Sequence, residues 1–125
     1  MHVLMVDDET EFLDIMKKRL GRRSMEVDVA SNGLEGVKAV KAMAQGGPKF
    51  DVVVMDVRMP GMDGLEALTE MKKAAPKLPV ILLTGHASVG IAVQGMESGA
   101  YDYLLKPVSI NELILKMEEA AGAAG

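Results

Sequence analysis

Four acidic residues, one hydroxyl and one lysine in this 125-residue chain have the types and positions to do chemistry together. Asp7, Asp8 and Glu9 follow directly on a short apolar run, His2 to Val6. Asp56 closes a second run, Val52 to Met55, and Pro60, Gly61 and Gly64 behind it forbid continued strand. Thr84 closes a third run that begins at Pro79, and Lys106 follows a fourth, Tyr101 to Leu105. Clustered carboxylates are costly unless a cation neutralises them or their pKa values rise. Carboxylate oxygens, completed by waters and a phosphate, are the preferred surroundings of Mg²⁺. A carboxylate can also attack phosphorus and form an acyl phosphate. Thr84 and Lys106 would then place a hydroxyl and an ammonium around an anion built on Asp56. Each residue alone has a plainer explanation. Acids favour helix N-termini, Asp caps helices and turns, a strand-end hydroxyl satisfies backbone, and a loop lysine is simply solvated. A phosphate-cradling dinucleotide site would need glycines where this chain puts three acids.

The elements that must position these residues follow from the apolar pattern. Val52 to Met55 and the run from Pro79 to Leu83 do not alternate, which suits strands buried on both faces of a parallel sheet. His2 to Val6 is strand 1. Phe12, Leu13, Met16 and Leu20 form the stripe of helix 1, which stops at Gly21. Met25 to Ala30 reads as an outer strand 2. Asn32 and Glu35 resemble a capping box, and Leu34, Val37 and Val40 form the buried stripe of helix 2. Strand 3 ends at Asp56. Leu65, Leu68 and Met71 mark helix 3, which stops before Pro76, and strand 4 runs from Pro79 to Thr84. Helix 4 spans Ser88 to Ser98 and is the least secure, since Gly90 and Gly95 each cost on the order of 1 kcal/mol against Ala. Tyr101 to Leu105 is strand 5. Ser109 and Glu112 form a second capping box, and Ile110, Leu113, Ile114 and Met117 face inward on helix 5. Ala120 to Gly125 reads as a structureless end or the start of a linker. Five strands alternating with five helices imply an α/β fold, a parallel sheet with helices on both faces. Asp7, Asp8, Asp56, Thr84 and Lys106 all then fall at its carboxyl edge, where open α/β sheets bind ligands.

Composition narrows the function classes. One domain of this length buries a real core. Eleven Met and only two Phe and two Tyr predict adaptable packing. Eighteen acids against fourteen cations argue against a nucleic-acid surface. The absence of Cys removes disulfides, zinc–thiolate sites and thiol nucleophiles. No apolar run reaches membrane-spanning length and the N-terminus is not a signal peptide, so a cytoplasmic protein without membrane contact is expected.

Four stretches in order carry a family resemblance. They are Val6-Asp7-Asp8-Glu9, Met55-Asp56-Val57-Arg58-Met59-Pro60-Gly61-Met62-Asp63-Gly64, Leu83-Thr84-Gly85-His86-Ala87, and Gly99-Ala100-Tyr101-Asp102-Tyr103-Leu104-Leu105-Lys106-Pro107. Over nearly its whole length the chain resembles a CheY-like response-regulator receiver domain of two-component signalling, and within that family the NtrC-type receivers. The resemblance implies a flavodoxin-like, doubly wound sheet of order 2-1-3-4-5, with the receiver domain over residues 1–121 and a small-residue tail over 122–125.

It also implies roles. Asp56 resembles the phosphoacceptor, taking its phosphoryl group from a sensor histidine kinase or a phosphotransfer protein. Asp8, Asp56 and the backbone carbonyl of Arg58 would bind Mg²⁺, or another divalent ion such as Mn²⁺, directly, with Asp7 acting through water. Lys106 would pair with the phosphoryl oxygens. Thr84 would hydrogen-bond the phosphoryl group, and Tyr103 would turn inward with it. The Lys106–Pro107 bond is expected to be cis, and Gly85 keeps the phosphoryl entry open. Arg58 and His86 stand where the family varies and would tune water access. The surface of helix 4, strand 5 and helix 5 would switch, and an effector domain or a second copy would dock there. Helix 4 carries no Lys or Arg, a departure from the charged dimer face of OmpR-type receivers. Two other classes stand beside this one. A phosphatase with an aspartyl-phosphate intermediate normally needs a second acid two residues after the nucleophile, and Arg58 stands there. A phosphate-independent interaction module would usually have lost one of the acids, Thr84 or Lys106, and all are present.

Overall fold

Val52 to Met55 and Val80 to Leu83 have no polar residue to turn toward water, and both become inner strands. The computed structural model describes residues 1–124. Its elements are β1 (His2–Val6), α1 (Thr10–Gly21), β2 (Glu26–Ala30), α2 (Gly33–Ala44), β3 (Val52–Asp56), α3 (Gly64–Ala74), β4 (Val80–Thr84), α4 (Val89–Glu97), β5 (Asp102–Leu105) and α5 (Ile110–Ala124). The five strands are parallel in the order β2-β1-β3-β4-β5, the flavodoxin-like order.

Strand alternation sorts the core into two layers. Leu4, Val6, Val53, Met55, Val80 and Leu82 face α2, α3 and α4, where Val37, Val40, Leu68, Met71 and Ala92 meet them. Val3, Met5, Val52, Val54, Ile81 and Leu83 face α1 and α5, packing on Leu13, Met16, Leu20, Leu113 and Met117. Sulfur chains fill both layers, as the Met-rich composition predicts. Among the described residues no helix is long and apolar enough to cross a membrane.

Several local expectations change. Leu34 is exposed rather than buried. It sits in the first turn of α2, and the closely packed positions there are Gly33 and Gly36. Asn32 Oδ1 accepts the Glu35 N–H at 2.9 Å, but the Glu35 carboxylate returns to Ser31 instead of closing the box on Asn32. Helix 1 includes Gly21 as its last residue, and the left-handed residue after it is Ser24. The expected structureless end is largely helix. Residues 120–124 continue α5, and Ala120 is fully buried. Small residues lack a periodic apolar signal, yet Ala is the best helix former and fits a tight core position. Gly125 of that expected tail lies outside the described residues.

Helix 4 begins after a 3₁₀ turn at His86–Ser88, and its two glycines differ. A Cβ at Gly95 would overlap Leu82 Cδ1, inside the core, so Gly95 sets how closely α4 approaches β4. A Cβ at Gly90 would meet nothing within 4 Å. Gly90→Ala is expected to stabilise the domain by about 0.4–1 kcal/mol through the unfolded chain. Gly95→Ala is expected to destabilise it by about 1 kcal/mol net, overpacking outweighing the helix gain. Urea denaturation of both variants measures this, and an unchanged midpoint for Gly95→Ala would contradict the close packing.

Candidate functional site

Parallel register gathers the polar strand ends. Val6 pairs with Met55, so Asp7 emerges beside Asp56. Asp56 pairs with Leu83, and Thr84 with Leu105, so Thr84 and Lys106 complete the same edge. The Val57 N–H donates to the Leu83 carbonyl at 3.0 Å and the Lys106 N–H to the Thr84 carbonyl at 2.8 Å, which extends the ladder beyond the strands.

Lys106 lies at the centre. Its Nζ donates to Asp7 Oδ2 at 2.7 Å, to Asp56 Oδ2 at 3.0 Å and to Glu9 Oε1 at 3.2 Å. An ammonium has three protons, and three carboxylates take them. The Phe12 ring covers another side, its centroid 4.6 Å from Nζ. Burial works to lower the Lys106 pKa, but its hydrogen bonds to Asp7 and Asp56 and the charges of those carboxylates together outweigh burial and hold it above the ordinary lysine value. Asp7 is buried, and desolvation raises its pKa against the lowering effect of Lys106 and of the Glu9 N–H. Both partners therefore shift upward, although an ion pair alone would lower the acid. The 2.7 Å contact fits the ionised pair, with the lysine offsetting the cost of burying the carboxylate.

Asp8 stands exposed beside Asp7. One oxygen from each of Asp7, Asp8 and Asp56 lies within 4.8 Å of the others. Such a set of hard oxygen donors fits a small divalent cation such as Mg²⁺ or Mn²⁺. The second Asp56 oxygen, Oδ1, accepts the Arg58 N–H at 2.9 Å, which orients the carboxylate at the mouth of the loop. That loop folds back tightly: a Cβ at Gly64 would stand 2.6 Å from Val57 Cα. Asp63 is the N-cap of α3, accepting the Glu66 N–H at 2.8 Å.

The remaining expected residues fall around this cluster. Thr84 is fully buried, and its hydroxyl donates to the Gly85 carbonyl at 3.0 Å rather than to Asp56. Tyr103 is half-buried against the layer that includes Leu82 and Ala92. Arg58 and His86 are exposed. The Lys106–Pro107 bond is cis. A cavity of about 560 Å³ is lined by Val57, Arg58, Met59, Pro60, Asp63 and Ile91, so space remains between the loop after β3 and α4. Two contacts of Lys106, with Glu9 and Phe12, are not apparent from motif reading. Their spacing held a signal, since residues three apart at the start of a helix share one face.

The sequence matches the family model described as response regulator receiver domain over residues 3–118. The chain belongs to the response-regulator receiver family. It is 38% identical over 118 residues to the transcriptional regulatory protein ZraR of Klebsiella oxytoca, covering 94% of this chain and 26% of that protein. It is 33% identical to the transcriptional regulatory protein CutR of Streptomyces coelicolor, covering 94% of this chain and 52% of that protein. The chain thus spans between a quarter and about half the length of these curated relatives. A response-regulator receiver domain from Clostridium thermocellum superposes with a TM-score of 0.89 at 34% identity, over 98% of this chain and 94% of that one. The receiver domain of NtrX from Brucella abortus does so with 0.84 at 33% identity, over 96% and 98%. The fold expected from the resemblance is therefore the fold present, and this receiver is a signalling domain of two-component regulation.

Proposed function

We propose that this receiver accepts a phosphoryl group on Asp56 in a Mg²⁺-dependent reaction, and that the change of charge is passed to α4, β5 and α5. The observation that carries this reading is the Asp7, Asp8 and Asp56 cluster with the Lys106 ammonium seated against it. An Asp56 oxygen attacks the donor phosphorus, the new P–O bond forms, and the bond to the donor breaks with its electron pair leaving on the donor, which then takes a proton. Asp8, Asp56 and the Arg58 carbonyl would hold the metal, with Asp7 acting through water. When bound, the metal neutralises charge on the phosphoryl oxygens. Lys106 would turn from Asp56 to those oxygens. Arg58 and His86, both exposed at the rim, would set how water reaches the acyl phosphate. The domain would catalyse only its own phosphorylation and dephosphorylation. Its donor would be a sensor histidine kinase or a phosphotransfer protein.

The output follows from the same geometry. Thr84 would leave the Gly85 carbonyl and donate to the phosphoryl group, and Tyr103 would move into the vacated space. The cavity beside Ile91 and the exposed Gly90 leave α4 room and low local stability. Val93, Met96 and Leu105 stand exposed on α4 and β5, which suits docking of an effector domain or a second copy. Thr84→Ala should still take the label on Asp56 but give a smaller hydrogen-exchange change around Tyr103 when a phosphoryl mimic binds. Exchange changes confined to α1 and α2 would contradict this route.

Incubation with a small acyl phosphate and Mg²⁺ tests the reading itself. One stable, Mg²⁺-dependent phosphoryl group per chain is expected. Continuous turnover of the donor would indicate a phosphatase, and no label would indicate a phosphate-independent module.

A further inference from the structure

We infer that Phe12 is a positioning residue for the Lys106 ammonium, its ring face holding the lysine against Asp7 and Asp56. The inference deepens the phosphoacceptor reading and rests on it. Lys106 leaves the end of β5 on a flexible four-carbon stem, so its head group needs fixing from more than one side. The carboxylates fix it from the sheet edge. Glu9, the third of them, is 65% exposed in its side chain and could draw the ammonium outward to the solvent rim. Phe12 opposes that drift. Its ring centroid is 4.6 Å from Nζ, within the range of a cation–π contact, and the Lys106 side chain is only 19% exposed. The ring itself is anchored, since Phe12 is half-buried and packs on the α1–α5 layer. It thereby covers the side of the ammonium that the three carboxylates leave open. A leucine there would keep the apolar packing and lose the negative ring face, whereas a tyrosine would keep the face.

The test pairs an NMR readout with a rate, using the whole 125-residue chain. In the wild type, the Lys106 ε-methylene protons should be shifted upfield by the Phe12 ring relative to those of Lys116, with no phosphodonor present. In Phe12→Leu that shift should vanish. Phosphorylation of Asp56 by a small acyl phosphate should slow about three- to tenfold, as loss of a partly desolvated cation–π contact implies. The Mg²⁺ dissociation constant should change less than about twofold, because no metal-binding oxygen is altered. Phe12→Tyr should restore both the shift and the rate. An unshifted Lys106 signal in the wild type, a Phe12→Leu rate equal to wild type, or a Phe12→Tyr rate as low as that of Phe12→Leu would overturn the inference. A wild type that takes no label would instead sink the phosphoacceptor reading, while the Lys106 shift still reports on the contact.

Discussion

The largest effect is expected from Asp56→Asn, which should abolish phosphoryl incorporation while the domain stays folded. An amide in place of the carboxylate lacks the negative charge and the nucleophilic oxygen at almost constant shape. The fold should tolerate the change for reasons visible around the site. An Asn Oδ1 can still accept the Arg58 N–H that Asp56 takes at 2.9 Å, while its Nδ2 cannot accept from Lys106 and that 3.0 Å bond is lost. Lys106 keeps Asp7 and Glu9 as partners. Neutralising one of three mutually repelling carboxylates offsets the loss of its ion pair with Lys106, so the thermal midpoint should change little. Intact-protein mass spectrometry after exposure to a small acyl phosphate and Mg²⁺ measures the label, and circular dichroism measures the fold. Full labelling of the folded variant would place the acceptor elsewhere. Asp63 is a poor substitute, because its carboxylate already caps α3.

Asp8→Ala should raise the Mg²⁺ dissociation constant roughly tenfold or more, about 1.4 kcal/mol, with little change in stability. Asp8 is exposed, so its carboxylate loses little solvation by folding and remains available to a cation. Asp7 differs. It is buried, caps the Glu9 N–H at 2.9 Å and holds Lys106 at 2.7 Å. Asp7→Ala should therefore cost about 1–3 kcal/mol of stability as well, since it removes the Glu9 cap and a charge-assisted bond to the part-buried Lys106. Isothermal titration with Mg²⁺ and urea denaturation separate the two variants. An Asp8→Ala affinity equal to wild type would remove Asp8 from the metal site.

Much of this architecture is legible before any coordinates. Continuous apolar runs ending on Asp56 and Thr84 identify β3 and β4 because strands buried on both faces tolerate no alternation. Strand order is not legible that way. Periodicity marks an element but not its neighbours, and only the family resemblance implies the 2-1-3-4-5 order. Leu34 misleads because an apolar residue in the first turn of a helix can point past the core. The end of α5 is missed because Ala and Gly carry no amphipathic signal, although Ala120 is buried. At the site, residue types announce the acids, the hydroxyl and the lysine. The partners of each group do not follow from type. That Thr84 donates to Gly85, that Glu9 joins Lys106, and that Phe12 covers the ammonium are matters of side-chain direction, which sequence spacing constrains only to a face.

The phosphoacceptor assignment itself is tested most directly by trapping the acyl phosphate on the wild-type chain. Borohydride reduces an aspartyl phosphate to homoserine and leaves free aspartate and phosphothreonine unchanged. After phosphorylation with a small acyl phosphate and Mg²⁺, reduction and peptide mass mapping should find homoserine at position 56 alone, and only when Mg²⁺ was present. Homoserine at position 63 or at either residue of the 7–8 pair, or a label on Thr84 that survives reduction, would contradict the assignment of Asp56.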